Sequence, residues 1–346
     1  MNPLLCSMLF SSMATGTIIA ASANHWLLAW MGLELNTLAI LPLLATTHTP
    51  RATEAATKYF LIQAAASSML LLASIINAQM TSQWDITQLT TQPAITMLTL
   101  ALMMKLGVAP MHSWLPEIMQ GTTTQMALVV ATWQKLAPIA LLFSTAHTLH
   151  TPTILGLALL STLIGGWGGL NQTQLRKLMA FSSIAHLGWI ISMMPLNMSL
   201  TMITLTLYII MTTTMFMAMS LTNTKSLKDI TTTWNSIPST MVLLLLTLIS
   251  LGGLPPLSGF MLKWLILKEL VFTDLSITAT LMALASLLSL MFYIRLGYLT
   301  SLTISPNTNM METKWRLKPN HHTAGITTTM AMTIMLLPLM PVLITH

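Results

Sequence analysis

The chain has 346 residues, of which 54% are hydrophobic and only 6% charged, with a formal net charge of +6. Water-soluble domains carry about 25% charged residues, so no soluble fold suits this composition. A single cysteine, Cys6, excludes an intramolecular disulfide, a CxxC redox pair and an iron–sulfur cluster ligated by this chain alone.

The first residues, MNPLLCSMLF, lack the basic region of a secretory signal and the Arg-rich amphipathic pattern of a transit peptide, so the first apolar stretch reads as a span. Helices of about 20 apolar residues cross a hydrocarbon core roughly 30 Å thick. Eleven such stretches occur, over residues 3–22, 24–45, 57–79, 93–110, 123–145, 152–170, 174–194, 198–222, 238–272 with a break, 275–297 and 324–344. The 31 methionines and Thr-rich loops resemble the composition of a mitochondrially encoded protein.

Basic residues in short loops stay on the side from which a membrane protein inserts. Loops after the even-numbered spans hold or border Arg51, Lys58, Arg176, Lys177, Lys225, Lys228, Lys314, Arg316 and Lys318, whereas the opposite loops carry Asp85, Asp274 and histidines. This one-sidedness predicts an N-terminus on the matrix or cytoplasmic side and a C-terminus on the other. The positive charge thus sets topology and meets anionic lipid, with no call for nucleic acid.

The fourth span contains KLGVAPMHSWLPE, from Lys105 to Glu117, and the ninth contains SLGGLPPLSGFMLKW, from Ser250 to Trp264. Each has Leu-Gly followed closely by Pro, which removes a backbone donor and clashes with the preceding turn. Both helices are expected to be interrupted, and non-helical backbone at membrane depth is tolerated only where protein buries it or water lines it. The broken spans stand five apart, and an odd number of crossings inverts a repeat. The expected fold is therefore all-α and polytopic, with a first inverted repeat over 1–149, a second over 150–300, and a basic matrix-side loop with a final transmembrane helix over 301–346.

At a rise of about 1.5 Å per residue, Glu34, Lys105, Lys135 and His186 each lie roughly 15 to 18 Å from the start of their spans, close to the bilayer centre. Lys263, beyond the second break, continues this row. Intramembrane ionisable groups cost a few kcal/mol each and mark ion or proton pathways. A carboxylate beside a buried lysine favours its protonated form, so changing the distance from Glu34 to a lysine switches that lysine between holding and releasing a proton. The competing reading is a static ion pair between Glu34 and one lysine, which leaves the other central lysines unexplained. For His186 and His112 a plain hydrogen bond to a backbone carbonyl is an equal alternative. Arg176, Lys177, Lys225 and Lys228 read as topology anchors. No GxGxxG or Walker A loop, zinc-type Cys/His spacing or haem-ligand pair occurs.

Five segments carry a resemblance: HWLLAWMGLELN at 25–36, PRATEAATKYFL at 50–61, GVAPMHSWLPE at 107–117, GGWGGLNQTQLRKLMAFSSIAHLG at 165–188 and LGGLPPLSGFMLKW at 251–264. Together they resemble the subunit 2 family of mitochondrial NADH dehydrogenase, one of the antiporter-like membrane subunits of respiratory complex I. By that resemblance Glu34 and Lys105 match the family's coupled glutamate and lysine, Lys135 its central relay lysine, and Lys263 the lysine of the second broken helix. His112 falls in an HxWLP motif and His186 in the histidine-bearing segment of the second half. The resemblance implies a proton-translocating subunit of NADH:ubiquinone oxidoreductase in the mitochondrial inner membrane. It also implies that NADH, FMN, iron–sulfur clusters and ubiquinone are bound by other subunits, and that this chain binds no cofactor or metal. Longer relatives have fourteen helices and this chain resembles them from the fourth onward, so core and accessory subunits or lipid are expected on the uncovered flank. A free-standing cation/proton antiporter is the alternative function, and a structural spacer with vestigial charges is a third.

Overall fold

The computed structural model describes residues 2–233, 238–255, 257–302 and 324–335. The expected basic residues Lys314, Arg316 and Lys318, and the end of the last expected span, lie outside these. The described residues form helices joined by short loops, with two isolated β-bridges and no strand. The chain divides into two compact units, the first made of Met1–Ser161 with Met194–Met198, the second of Thr162–Met193 and the chain from Ser199 on.

The first unit holds α1 (Pro3–Ser22), α2 (Trp26–Leu44), α3 (Pro50–Thr81), α4 (Gln92–Leu106), α5 (Trp114–Gly121), α6 (Thr124–Ala131) and α7 (Trp133–Thr145). A 3₁₀ turn follows, and α8 (Thr151–Gly169) begins here and ends in the second unit. Local chemistry sets several starts. Asn2 and Thr49 cap α1 and α3 by accepting from Leu4 N and Ala52 N, with Pro3 and Pro50 at first helical positions where no backbone donor is needed. α1, α2, α4 and α6 all pack on α7, and α3 lies against α2, α4 and α5. The loops after α1 and α3 pair, with Trp26 N donating to Trp84 O and Ile86 N to Asn24 O, and His25 stacks on Trp84 at 5.6 Å.

The second unit contains α9 (Leu175–Met193), α10 (Met198–Thr222, from Ser199 on), α11 (Leu227–Thr233), α12 (Pro238–Gly252), α13 (Ser258–Phe272), α14 (Ser276–Leu302) and α15 (Ala324–Met335). Here too alternate loops pair: Leu175 N donates to Lys225 O and Leu227 N to Thr173 O. Asp229 closes the turn into α11 by accepting from Ser226 N at 2.7 Å and Lys225 N at 2.9 Å. These amides hold its carboxyl below the ordinary aspartate range, the Ser226 bond contributing most.

Each of the eleven expected stretches coincides with a helix or a helix pair, the last only over its described part. Seven helices are long and apolar enough to cross a membrane by length and composition, and Gln92–Leu106 and Ser239–Gly252 are shorter apolar helices. Both expected breaks occur, but glycine ends the helices. Gly107 at φ 77° and Gly253 at φ 79° adopt the left-handed conformation, with the next residue's N–H bonding five back, Val108 to Met103 O and Leu254 to Ile249 O. That pattern is a Schellman cap, and proline a few residues later prevents the helix from resuming. Pro42 and Pro138, by contrast, lie inside α2 and α7 without ending them. A further interruption was not expected: the fifth stretch splits at Thr132, whose φ −115° and ψ −66° separate α6 from α7.

Candidate functional site

In the first unit three of the carbonyls freed where α4 ends have named partners. Met103 O takes the cap amides, Met104 O accepts from Trp114 Nε1 at 3.2 Å, and Lys105 O accepts from Gln63 Nε2 at 3.4 Å. The chain after the break therefore folds back on the end of α4 and holds it against α3. Lys105 belongs to the last turn of α4, where the negative end of the helix dipole favours a cation. Its side chain is 5% exposed, and its Nζ has no hydrogen-bond partner among the described protein atoms.

Glu34 on α2 is half-buried, and its Oε2 is likewise unpartnered. Its charge acts on Lys105 and on the Tyr59 hydroxyl, but no ion pair within 4 Å joins Glu34 to Lys105. Glu34 and Lys105 are thus electrostatic neighbours at a distance and do not form the static pair considered above. Lys105 lines a small cavity of about 10 Å³ with Leu33, Asn36, Tyr59, Gln63, Trp114 and Gln134 among its other walls, enough for one water.

Lys135 stands in the first turn of α7, 2% exposed, immediately after the interruption at Thr132. Thr132 donates twice to Leu128 O, from its backbone N at 3.0 Å and its Oγ1 at 2.8 Å, whereas Lys135 N reaches Thr132 O at 3.3 Å. The neighbouring Gln134 carries a buried polar chain: its Oε1 accepts from Tyr59 Oη at 3.2 Å and its Nε2 donates to Asn36 Oδ1 at 3.1 Å. His112 is half-buried; its Nδ1 lies 3.1 Å from Pro110 O, and the ring is not among the walls of the Lys105 cavity.

In the second unit Lys263 and His186 line one cavity of about 20 Å³, with Thr204, Tyr208 and Trp189 among its walls. Lys263 projects from α13 back across the break, and its Nζ donates to Gly252 O at 2.8 Å, at the end of α12. The two break lysines meet the same kind of field by different routes: Lys105 sits within the last turn of the first half-helix, and Lys263 reaches to that turn from the second half. His186 Nε2 is 3.5 Å from Tyr293 Oη, and its ring is 5.7 Å from that of Tyr208. Consecutive serines on α9, Ser182 and Ser183, are buried and donate back to Met179 O at 2.7 Å and Ala180 O at 2.8 Å.

Sequence reasoning passed over Gln134, Asn36, Gln63, Tyr59, Tyr208 and Tyr293. The amides were the detectable ones, since Asn36, Gln63 and Gln134 are polar residues within otherwise apolar spans. Lys58, one of the basic residues bordering the loops after even-numbered spans, also bridges Glu54 at 2.5 Å and Glu117 at 2.7 Å, tying α5 to the start of α3. All three side chains are substantially exposed, which limits the energy of the cluster. No group of three or more His, Cys, Asp or Glu gathers to hold a metal among the described residues.

The family model described as NADH:quinone oxidoreductase/Mrp antiporter, TM, matches residues 23–289, and the model for the NADH dehydrogenase subunit 2 C-terminus matches residues 290–344. The NADH-ubiquinone oxidoreductase chain 2 of Xenopus laevis is 50% identical over 345 residues, covering 100% of both chains. A chain of respiratory complex I from Thermus thermophilus superposes with a TM-score of 0.83 at 27% identity, covering 96% of this chain and 79% of that one. A chain of the Mrp complex from a Dietzia species, at 17% identity and a TM-score of 0.77, shares the fold over 87% of this chain and 61% of its own length. Matched over residues 23–344 by these models and at half identity by the amphibian chain, the protein belongs to the NADH:quinone oxidoreductase/Mrp antiporter membrane family, in its NADH dehydrogenase subunit 2 branch.

Proposed function

We propose that this chain is a core membrane subunit of NADH:ubiquinone oxidoreductase and moves protons through its buried lysines while quinone reduction proceeds in other subunits. The full-length identity to a protein named NADH-ubiquinone oxidoreductase chain 2 carries the assignment to that complex. The relay reading rests on Lys105, buried at the end of a broken helix with Glu34 near enough to act on it and far enough to leave it unpaired. Such spacing lets a small helix movement change the lysine's hold on its proton. Lys135 is the central relay group, Lys263 and His186 serve the second half, and His112 lies at the first break. The Mrp likeness is one of fold and does not favour a free-standing antiporter.

Topology completes the proposal. Eleven spans form two inverted five-helix repeats, 1–149 and 150–300, followed by the segment 301–346 with the last helix, in the mitochondrial inner membrane. The pairing of loops after α1 and α3, and of those before α9 and α11, supports alternating sidedness. The basic loops support an N-terminus in the matrix. One cysteine cannot ligate an iron–sulfur cluster alone, so the clusters belong to partner subunits, and FMN, NADH and ubiquinone are assigned to them with the rest of the redox chemistry. Core and accessory subunits and lipid surround the chain, and nucleic acid does not.

Replacing Lys135 with Met retains bulk and removes the titratable group. In complex assembled to wild-type level on native gels and reconstituted in vesicles, proton pumping driven by NADH should fall severely. Normal proton-to-electron stoichiometry in that variant overturns the relay.

A further inference from the structure

We infer that Gln134 is a positioning residue, fixing Lys135 against the helices that carry Glu34 and Lys105; this rests on the relay reading above. α7 begins directly after Thr132, whose φ and ψ interrupt the helix that runs on from α6, so Lys135 sits on a joint. The Gln134 side chain, 9% exposed, anchors that joint from the position before Lys135. Its carboxamide accepts from Tyr59 on α3, donates to Asn36 on α2 and approaches Met13 Sδ on α1 at 3.8 Å. One planar group thus ties α7 to three other helices.

Those ties lead to the charged groups. Asn36 is two residues from Glu34 on α2, and Tyr59 is one helical turn from Gln63, which holds the Lys105 carbonyl. Asn36, Tyr59, Gln63, Lys105 and Gln134 also share the walls of one cavity. Only a side chain with both a donor and an acceptor satisfies Asn36 Oδ1 and Tyr59 Oη together, so leucine of similar size leaves both buried and unpaired. The titratable groups around Gln134 are Lys135 on α7 itself, Glu34 on α2, Tyr59 on α3 and Lys105 on α4. α6 supplies none, and α1 carries only Cys6, about two helical turns from Met13.

The test compares Gln134→Leu, Tyr59→Phe, their double variant and Lys135→Met in the intact complex, measuring quinone reduction in uncoupled membranes, pumping in vesicles and the pH profile of pumping. A misplacement of about 1 Å can slow a reaction roughly 100-fold. Gln134→Leu is therefore expected to retain uncoupled electron transfer, to slow pumping by at least about tenfold and to move its pH profile, with the double variant no worse than Gln134→Leu because the two residues act as a unit. An assembled Gln134→Leu that pumps at wild-type rate with an unmoved profile overturns the inference. If Gln134→Leu fails to assemble, Tyr59→Phe decides, since it removes one bond and leaves the ring against Trp114: a moved profile supports the inference and an unmoved one overturns it. Lys135→Met separates the two levels. Its normal pumping would sink the relay itself, while its loss of pumping beside a normal Gln134→Leu would sink only the role of Gln134.

Discussion

Lys105 is a buried amine whose nearest source of opposite charge is a carboxylate that does not touch it. The remaining stabilisation comes from the helix end on which it sits, worth at most about 2 kcal/mol in partly buried settings. Glu34 is consequently the adjustable term. Glu34→Gln keeps the shape and removes the charge, and coupled pumping is expected to fall several-fold, whereas Glu34→Asp retains the charge and should fall less. Equal pumping in wild type and Glu34→Gln would give this carboxylate a static role. The positions of Glu34, Lys105 and Lys135 were legible in the sequence because a charge in an apolar run stands out. The contribution of Gln134 was not, because an uncharged amide becomes meaningful only once Tyr59 and Asn36 are known to converge on it.

At the scale of an element, the breaks show which residue types do what. Proline marked both in the sequence, yet Pro42 and Pro138 sit inside intact helices, and the stops are made by glycines with positive φ. An L-residue in that conformation costs roughly 1–2 kcal/mol, and a Cβ at Gly107 would also press on the Trp114 ring at 3.1 Å. Gly107→Ala should therefore lower the thermal dissociation temperature of the complex and speed amide exchange at Val108 more than Pro110→Ala does; the reverse order would return the break to proline. The interruption at Thr132 carried no comparable signal, since threonine is common within helices and only its φ −115° and ψ −66° reveal the turn. The short helix α11 provides a pH test. Asp229 has a folded-state value lowered from 3.8, so its stabilisation is complete above the ordinary aspartate value and is lost as pH falls through the lower, folded one. Protection of the Ser226 and Lys225 amides is expected to persist at neutral pH, to fade below about pH 4, and at neutral pH to be weaker in Asp229→Asn. Identical exchange in the variant would exclude the cap.

For the whole molecule, hydropathy located the helices because bilayer thickness imposes a length that few soluble helices share. Several expected spans fall below a simple length-and-hydropathy threshold for a physical reason: α4, α12 and α13 are half-helices, and α9 and α13 carry the basic residues that the proposed topology and relay require. Sidedness can be measured directly. Single cysteines placed at Lys58, Arg176 and Lys225, in a chain with Cys6 replaced, should react with an impermeant thiol reagent only from the matrix face, and cysteines at Asp85 and Asp274 only from the other. Labelling of both sets from one face would invalidate the span count.

Lys263 fastens the two pieces of an interrupted helix with one contact of 2.8 Å. A hydrogen bond from an ammonium is roughly twice as strong as one from a neutral donor, so the proton on this side chain also sets the stiffness of the joint. Linkage makes the relation reciprocal. Mechanical work that spreads the joint reaches the lysine as a weaker grip on its proton, and a proton arriving there does work by drawing the joint closed.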